Sequence, residues 1–266
     1  MSLLLPDTVT LFISPGKVQG VRTSALFGQI VKAYEVDIPA QADDAWLNLS
    51  KACSTLWKAL RPGQLHLVLS DSMVRYACFH WRPELRSAQE DLAYAKLGFD
   101  DVYGTNASAD WHLAFSDGSP GSARLQVAVQ KSLFDLLTSQ LSEAMAPVKS
   151  FKTAMTHALS QHRRSLGGQG WLVNVGSDTV TFGSWSRLGW TWINTVRANA
   201  TSGNDLIDLI NQELTIAGAV PTAAHPVTMA VYAPGQIALD AQSIAGVQLV
   251  MLKPVVPRYT LIEVQA

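Results

Sequence analysis

The chain has 266 residues, enough for a substantial buried core and for two mid-sized domains. Its 20 Lys and Arg nearly balance 21 Asp and Glu, and no block of basic residues marks a surface for nucleic acid or lipid headgroups, so a polyanionic partner is disfavoured. The apolar runs LHLVLS and PVTMAVYAP fall short of the roughly 18–20 residues that span a bilayer. MSLLLPDTV lacks the basic start and apolar stretch of a secretion signal, so a cytoplasmic protein without a transmembrane segment is expected.

VTLFIS, VQGVRTS and KAYEVDIP are strand-like segments separated by turn signals, and three antiparallel strands are the simplest arrangement. From Asp43 to Leu60 the residues Trp46, Leu49, Cys53, Leu56, Trp57 and Leu60 recur at three- and four-residue steps. This predicts an amphipathic helix with Asp43 or Asp44 near its N-cap and a stop at Arg61-Pro62-Gly63. LHLVLS and VRYACFHW predict two strands joined through Asp71-Ser72-Met73. A helix is expected next, from about Ser87 to Leu97, with Gly98 as its C-terminal stop. WHLAFSDG and ARLQVAVQ predict a hairpin, because SDGSPGS between them is turn chemistry throughout. The spacing of Leu133, Phe134, Leu137, Leu141 and Met145 predicts a helix over Lys131 to Met145. Another is expected from Phe151 to Leu166, ending on Arg163 and Arg164, whose cations suit the carbonyl end of a helix.

Gly167-Gly168-Gln169-Gly170 is the clearest break in the chain, and the domain boundary is placed there, giving domains 1–166 and 167–266. Beyond it WLVNVGSDTVTFGSW predicts a strand, a turn and a second strand. The strand WTWINTVR, a helix from Asp205 to Ala217, and the strands VTMAVYAP, VQLVML and YTLIEV follow. Each half opens with three strands and then a helix. That duplicated order predicts a mixed α/β protein of two related lobes facing each other across a cleft.

The histidines, His66, His80, His112, His157, His162 and His225, form neither HxxxH nor HExxH, so local sequence predicts no metal site. Cys53 and Cys78 sit far apart inside apolar patterns and read as buried thiols, with a single disulfide between them left open. A GxSxG elbow, a Walker A loop and a GxGxxG fingerprint are missing. GGQG leads into a strand and lacks the helix N-terminus that holds a pyrophosphate. Asp43-Asp44 and Asp100-Asp101 are adjacent carboxylates that point in different directions in a helix or a strand, and they read as helix starts or solvated loops. Trp171, Trp185, Trp190 and Trp192 crowd around the second hairpin. Core packing accounts for them, with a protein-binding face as the other use of such rings. His80, Asp110 and Arg75 stay open as a catalytic group assembled by folding alone.

NVGSDTVTF resembles the second phosphate loop of the actin/Hsp70-like ATPase superfamily. LFISPGKVQGV stands where the first phosphate hairpin falls, and VYAPGQ resembles the strand-then-glycine adenosine loop. LHLVLSDSMVRYACFHW followed by SAQEDLAYAKLGFDDVYG is similar to the middle of the PilM-like and GspL-like cytoplasmic proteins, which help assemble type IV pili and type II secretion systems. The resemblance covers most of the chain. It implies a two-lobed α/β actin-like (ribonuclease H-like) fold with mixed sheets: an N-terminal lobe over 1–166 with an inserted subdomain, and a C-terminal lobe over 167–266. It also implies nucleotide-loop positions at Ser14, Gly16 and Lys17 in the first hairpin, Asn174, Gly176, Ser177 and Thr179 in the second, and Gly235 in the adenosine loop.

The same resemblance implies an aspartate in each hairpin to hold hydrated magnesium, which prefers hard oxygen ligands. Ser14 and Asn174 stand at those positions, so both charges are gone. Pro15 removes one backbone N–H from the first turn, and Pro234 precedes Gly235 where the family offers paired glycines. Asp178 falls in the turn and not at the strand end, and it is not taken as a replacement ligand. These degenerate loops imply a pseudo-ATPase for which no cofactor is expected, since phosphoryl transfer depends on positioned metal and charge stabilisation. The implied role is a non-catalytic cytoplasmic scaffold, peripheral to the inner membrane. It would hold the cytoplasmic tail of a bitopic pilus or secretion protein by strand addition. Two readings stay open beside it: an ATP- and Mg-binding protein with weak hydrolysis, and hairpins that are only β-turns requiring small residues.

Overall fold

The computed structural model describes residues 6–26, 28–38, 45–61, 63–116, 121–140, 147–198, 200, 202–219, 221–222, 226–234, 246–253 and 262–263. In chain order its elements are β1 (Thr8–Ser14), β2 (Lys17–Thr23), β3 (Ile30–Asp37), α1 (Ala45–Leu60), β4 (Gln64–Leu69), β5 (Val74–Phe79), α2 (Ala88–Tyr103), β6 (Trp111–Phe115) and β7 (Arg124–Gln130). There follow α3 (Lys131–Asp135, continued as a π turn over Leu136–Gln140), β8 (Val148–Thr153), α4 (Ala154–Leu166), β9 (Gly170–Val175), β10 (Thr179–Ser186), β11 (Gly189–Arg197), α5 (Gly203–Ile216), β12 (Val227–Tyr232), β13 (Val247–Leu252) and β14 (Ile262–Glu263).

The chain packs as two compact units, the first made of Met1–Met73, Val129–Ala154 and Val256–Ala266. Its sheet has the order β14-β3-β2-β1-β4-β8. The first three strands form the antiparallel meander expected from their turn signals, while β4 lies parallel to β1 and β8 parallel to β4. Val9, Leu11 and Ile13 on β1 and Leu65, Leu67 and Leu69 on β4 are buried, whereas Thr10, Phe12 and His66 between them keep partial exposure. That period of two marks one fully buried face. Helix α1 packs against β1, β2 and β3, with Leu49, Cys53, Leu56 and Leu60 as its buried stripe. Gly20 marks its close approach, since a Cβ there would stand 2.5 Å from Leu60 Cδ1 and 3.1 Å from Leu11 Cδ2.

The second unit comprises Val74–Ala128 and Met155–Val255. Its main sheet has the order β11-β10-β9-β12-β13, with β9, β10 and β11 antiparallel and β12 parallel to both β9 and β13. Val173, Val175, Val180, Phe182, Met229 and Val231 point to one face and share a core with Leu206, Ile210 and Leu214 of α5. That helix starts with a capping box between Ser202 and Asp205. A smaller sheet, β5-β7-β6, packs β5 against β11. At the turn joining β10 to β11, Gly189 forms a backbone bridge with Ala123.

Two predicted boundaries are corrected. The helix expected to stop at Gly98 continues to Tyr103 and is capped by Gly104 at φ 109°. Nothing crowds Gly98, and the next residue, Phe99, is buried against Trp111 and Tyr103, with ring centroids 5.9 and 4.5 Å away. Tertiary burial thus carries the helix past a residue of poor helix propensity. Phe151–Thr153, expected as the start of a helix, belong to β8 instead, where Phe151 aligns with Leu67 of β4 and packs on Phe134 at 5.4 Å. The helix begins only at Ala154. The helix expected over Lys131 to Met145 is helical through Gln140 and lies beyond that outside the described residues, as do Asp43, Asp44 and His225.

Candidate functional site

The first hairpin belongs to the first unit. Ser14 and Lys17 face each other across the Pro15-Gly16 turn, and the Ser14 hydroxyl donates to the Lys17 carbonyl at 2.8 Å. The Gly16 carbonyl accepts from the Ile38 N–H at 2.8 Å. The Lys17 ammonium lies 3.4 Å from Glu35 and 3.7 Å from Asp37, both on β3. These pairs are at least partly open to solvent and contribute little stability. Their effect is local: two carboxylates already neutralise the one cation of this turn.

The second hairpin belongs to the second unit. Asn174 is buried on β9, aligned with Thr181 on one side and Tyr232 on the other. The Gly176 N–H donates to the Thr179 carbonyl at 2.8 Å, closing the turn. A Cβ at Gly176 would meet that carbonyl oxygen and Thr179 Oγ1, both at 3.2 Å, so the turn leaves little room for a side chain here. Ser177 is exposed, and its hydroxyl donates to Asp178 at 3.4 Å. Thr179 is buried, and its Oγ1 has no partner among the described residues. Gly235 lies outside the described residues.

Alternation places Asn174, Thr179, Thr181 and Tyr232 on the face opposite the α5 core, where Met155 of α4 meets the space left by Gly183. This face carries buried polar side chains among apolar ones such as Leu172 and Ala230. Thr181 and Thr195 hydroxyls are 3.1 Å apart, and the His162 ring of α4 lies tilted against that of Tyr232 with centroids 5.6 Å apart, its Nε2 buried and unpartnered among the described residues. Residue typing alone passed over Thr181, Tyr232 and His162. The signal available was the repeated threonine of TVTF, since polar side chains at every second position put a polar row on one sheet face.

Burial pushes the His66 imidazole below its ordinary 6.5, helped by the charge of Lys152, and burial does the same to His162. A value lowered by folding means that the native state prefers the neutral ring. The resulting stability is complete above pH 6.5, the unfolded value, and is lost as pH falls through the lower folded values. Denaturation midpoints measured on either side of that pH are expected to drop on the acid side. His66→Gln combined with His162→Gln is expected to flatten the dependence.

Other sequence candidates resolve into structure. Asp100 accepts from the Ser108 N–H at 2.6 Å and its hydroxyl at 3.1 Å, which fixes the turn after α2. Arg75 stacks over Trp111 at 5.6 Å, beside Asp110, whereas His80 follows the opposite end of β5. Five residues of strand separate Arg75 from His80 by roughly 17 Å, so the three are not brought together. Cys53 and Cys78 are free, and burial pushes their thiols up to about 12 and about 11. Among the described residues no group of three His, Cys, Asp or Glu is placed to hold a metal ion, and no helix is long and apolar enough to cross a membrane.

No protein-family model matches the sequence, and no curated protein matches it. Solved structures do match its fold. A Bacteroides thetaiotaomicron protein of unknown function with an actin-like ATPase fold is 10% identical, with 88% of this chain and 84% of that one covered at a TM-score of 0.57. The cytoplasmic domain of EpsL, an inner-membrane component of the Vibrio cholerae type II secretion system, is 11% identical, with 94% and 91% covered at 0.58. The PilM-PilN type IV pilus biogenesis complex matches at 11% identity, 78% and 66% coverage and 0.53. Both groups expected from the sequence resemblance are therefore among the structural neighbours, and the chain has the actin-like ATPase fold.

Proposed function

We propose that this chain is a non-catalytic scaffold of a type IV pilus or type II secretion assembly platform, cytoplasmic and peripheral to the inner membrane, which binds the cytoplasmic tail of a bitopic membrane partner. The observation that carries the reading is the internal use of the loop donors. Gly176 N–H is bonded to Thr179, the Ser14 hydroxyl to Lys17, and the Lys17 ammonium to Glu35 and Asp37. A phosphate would have to displace each of these bonds. With Ser14 and Asn174 at the strand ends, this donor set does not fit hydrated magnesium, which calls for formal negative charge. No hydrolytic step follows from it. The setting is taken from the EpsL and PilM-PilN structures that share the fold.

A tail needs an edge to join. Among the described edges, β8 carries Lys149 and Lys152, β11 is packed by β5, β14 has two residues, and β6 exposes only His112 and Ala114. Strand β13 has neither a charge nor a proline, the usual guards of an edge, and Val250 and Met251 are 41% and 43% exposed. We assign the tail to β13 by strand addition. Titration of the full chain with tail peptides from pilus and secretion membrane proteins is expected to give binding by the high micromolar range. Val250→Lys is expected to weaken it about tenfold. Absence of binding in that range removes the main support. Calorimetry with ATP and magnesium is expected to give no signal; sub-millimolar binding lost in Lys17→Ala would establish the nucleotide-binding alternative instead.

A further inference from the structure

Strand pairing in the first unit builds a cluster that the nucleotide loops do not use. Between β4 and β8 the register runs Leu65 with Val148 and then His66 with Ser150, so Lys149 is the extra residue of a β-bulge. Without it Lys149 would stand opposite His66. The bulge sets Ser150 there instead, and its Oγ lies 2.6 Å from His66 Nδ1. Lys152 follows two residues along β8 on the same sheet face, and its charge acts on the imidazole. His66, Ser150 and Lys152 are all partly exposed. Elsewhere paired strands join hydroxyl to hydroxyl, as in Thr181 with Thr195 and Ser184 with Thr191, where neither partner is a base near neutral pH.

We propose that Ser150 is a nucleophile with His66 as its general base, and that it accepts an acyl group from an activated ester. A hydroxyl at this distance from an imidazole nitrogen has the geometry of such a pair. The ring takes the tautomer with its proton on Nε2, so Nδ1 accepts from the Ser150 hydroxyl. Burial and the charge of Lys152 favour the neutral ring, the form able to take a proton. In the step, Ser150 Oγ bonds to the acyl carbon and the bond from that carbon to the leaving oxygen breaks. The hydroxyl proton passes to Nδ1 and on to the leaving group, and nothing is oxidised or reduced. The product is an ester on the chain itself, a modification and not a turnover. It goes beyond the scaffold reading and is independent of nucleotide, tail and β13.

Incubation of the full chain with para-nitrophenyl acetate is the test, the acetyl group being located by peptide mass spectrometry and its ester linkage identified by loss in neutral hydroxylamine. Acetylation of Ser150 is expected. Ser150→Ala is expected to leave this segment without a hydroxylamine-labile acetyl group, and His66→Gln to slow its formation about a hundredfold. The pH profile reads the part played by the ring. His66 must be neutral to act, and its folded value lies below 6.5, so the rate is expected to hold at pH 6.5 and to fall as pH drops through that lower value. The strands that pair with β4 are β1 and β8, and of the residues beside the ring on these strands and on β4, Thr10, Gln64, Val68 and Ser150 carry no charge and Lys152 carries one. Lys152→Gln is therefore expected to move the fall to higher pH, with far-ultraviolet circular dichroism of every variant unchanged. The proposal is overturned if Ser150 of the folded wild type stays unmodified, if the acetyl group sits on Lys152 in its place, or if His66→Gln reacts as fast as wild type.

Discussion

Asn194→Leu is expected to destabilise the second unit by about 3 kcal/mol, because it strips a buried carboxylate of its hydrogen-bond donor. Glu213 is 1% exposed on α5, beside Leu206, Ile210 and Leu214 of the apolar core. The Asn194 side-chain amide of β11 reaches both of its oxygens, at 3.0 and 2.9 Å. Leucine matches the asparagine in size but offers no N–H, so the carboxylate would lose water and partner together. The double variant Asn194→Leu, Glu213→Leu removes both polar groups and is expected to recover most of the loss, as apolar replacement of a whole buried pair does. Denaturant midpoints for the two single variants and the double one give the coupling directly. Wild-type stability in Asn194→Leu would mean that Glu213 is not held as a buried acceptor.

The second large effect is expected at Gly189→Ala, on the order of 3 kcal/mol, or a fall in thermal midpoint of about 5–10 °C. Gly189 has φ 96°, which side-chain-bearing residues rarely adopt. Its missing Cβ also leaves room for the backbone of Ala123: a methyl group would collide with the carbonyl oxygen and stand 2.8 Å from the nitrogen and 2.9 Å from the carbonyl carbon. Backbone atoms cannot rotate away as a side chain can. The bridge between the β10–β11 turn and the segment entering β7 should therefore open, and exchange of the Ala123 and Trp190 amide hydrogens should rise well above the global unfolding rate. Gly168→Ala is the control, since nothing lies within 4 Å of its Cβ position and no change is expected. Equal stability of Gly189→Ala and wild type would show that this bridge does not hold the small sheet.

Local chemistry was readable along much of the chain. Pro15-Gly16 between two alternating runs predicts the first hairpin. Ser87 three residues before Glu90 starts α2 through a capping box that the structure contains, with the Glu90 N–H 3.2 Å from Ser87 Oγ. The misreadings fall where distant partners overrule local preference. Gly98 is a poor helix residue, but the end of α2 depends on Phe99 finding Trp111. Phe151–Thr153 pass for a first helical turn until β4 supplies a strand to pair with.

The candidate site divides the same way. The sequence alone determined the two turns, their small residues, and the uncharged side chains Ser14 and Asn174 beside them, because each is a property of one short segment. Only the tertiary structure decided that Lys17 is neutralised by Glu35 and Asp37, that Asn174 is buried on the sheet face that carries Thr179 and Thr181, and that Glu213 depends on Asn194. Those partners are separated from one another by turns and whole strands, and side-chain electrostatics and burial depend on distance in space, which sequence spacing does not carry.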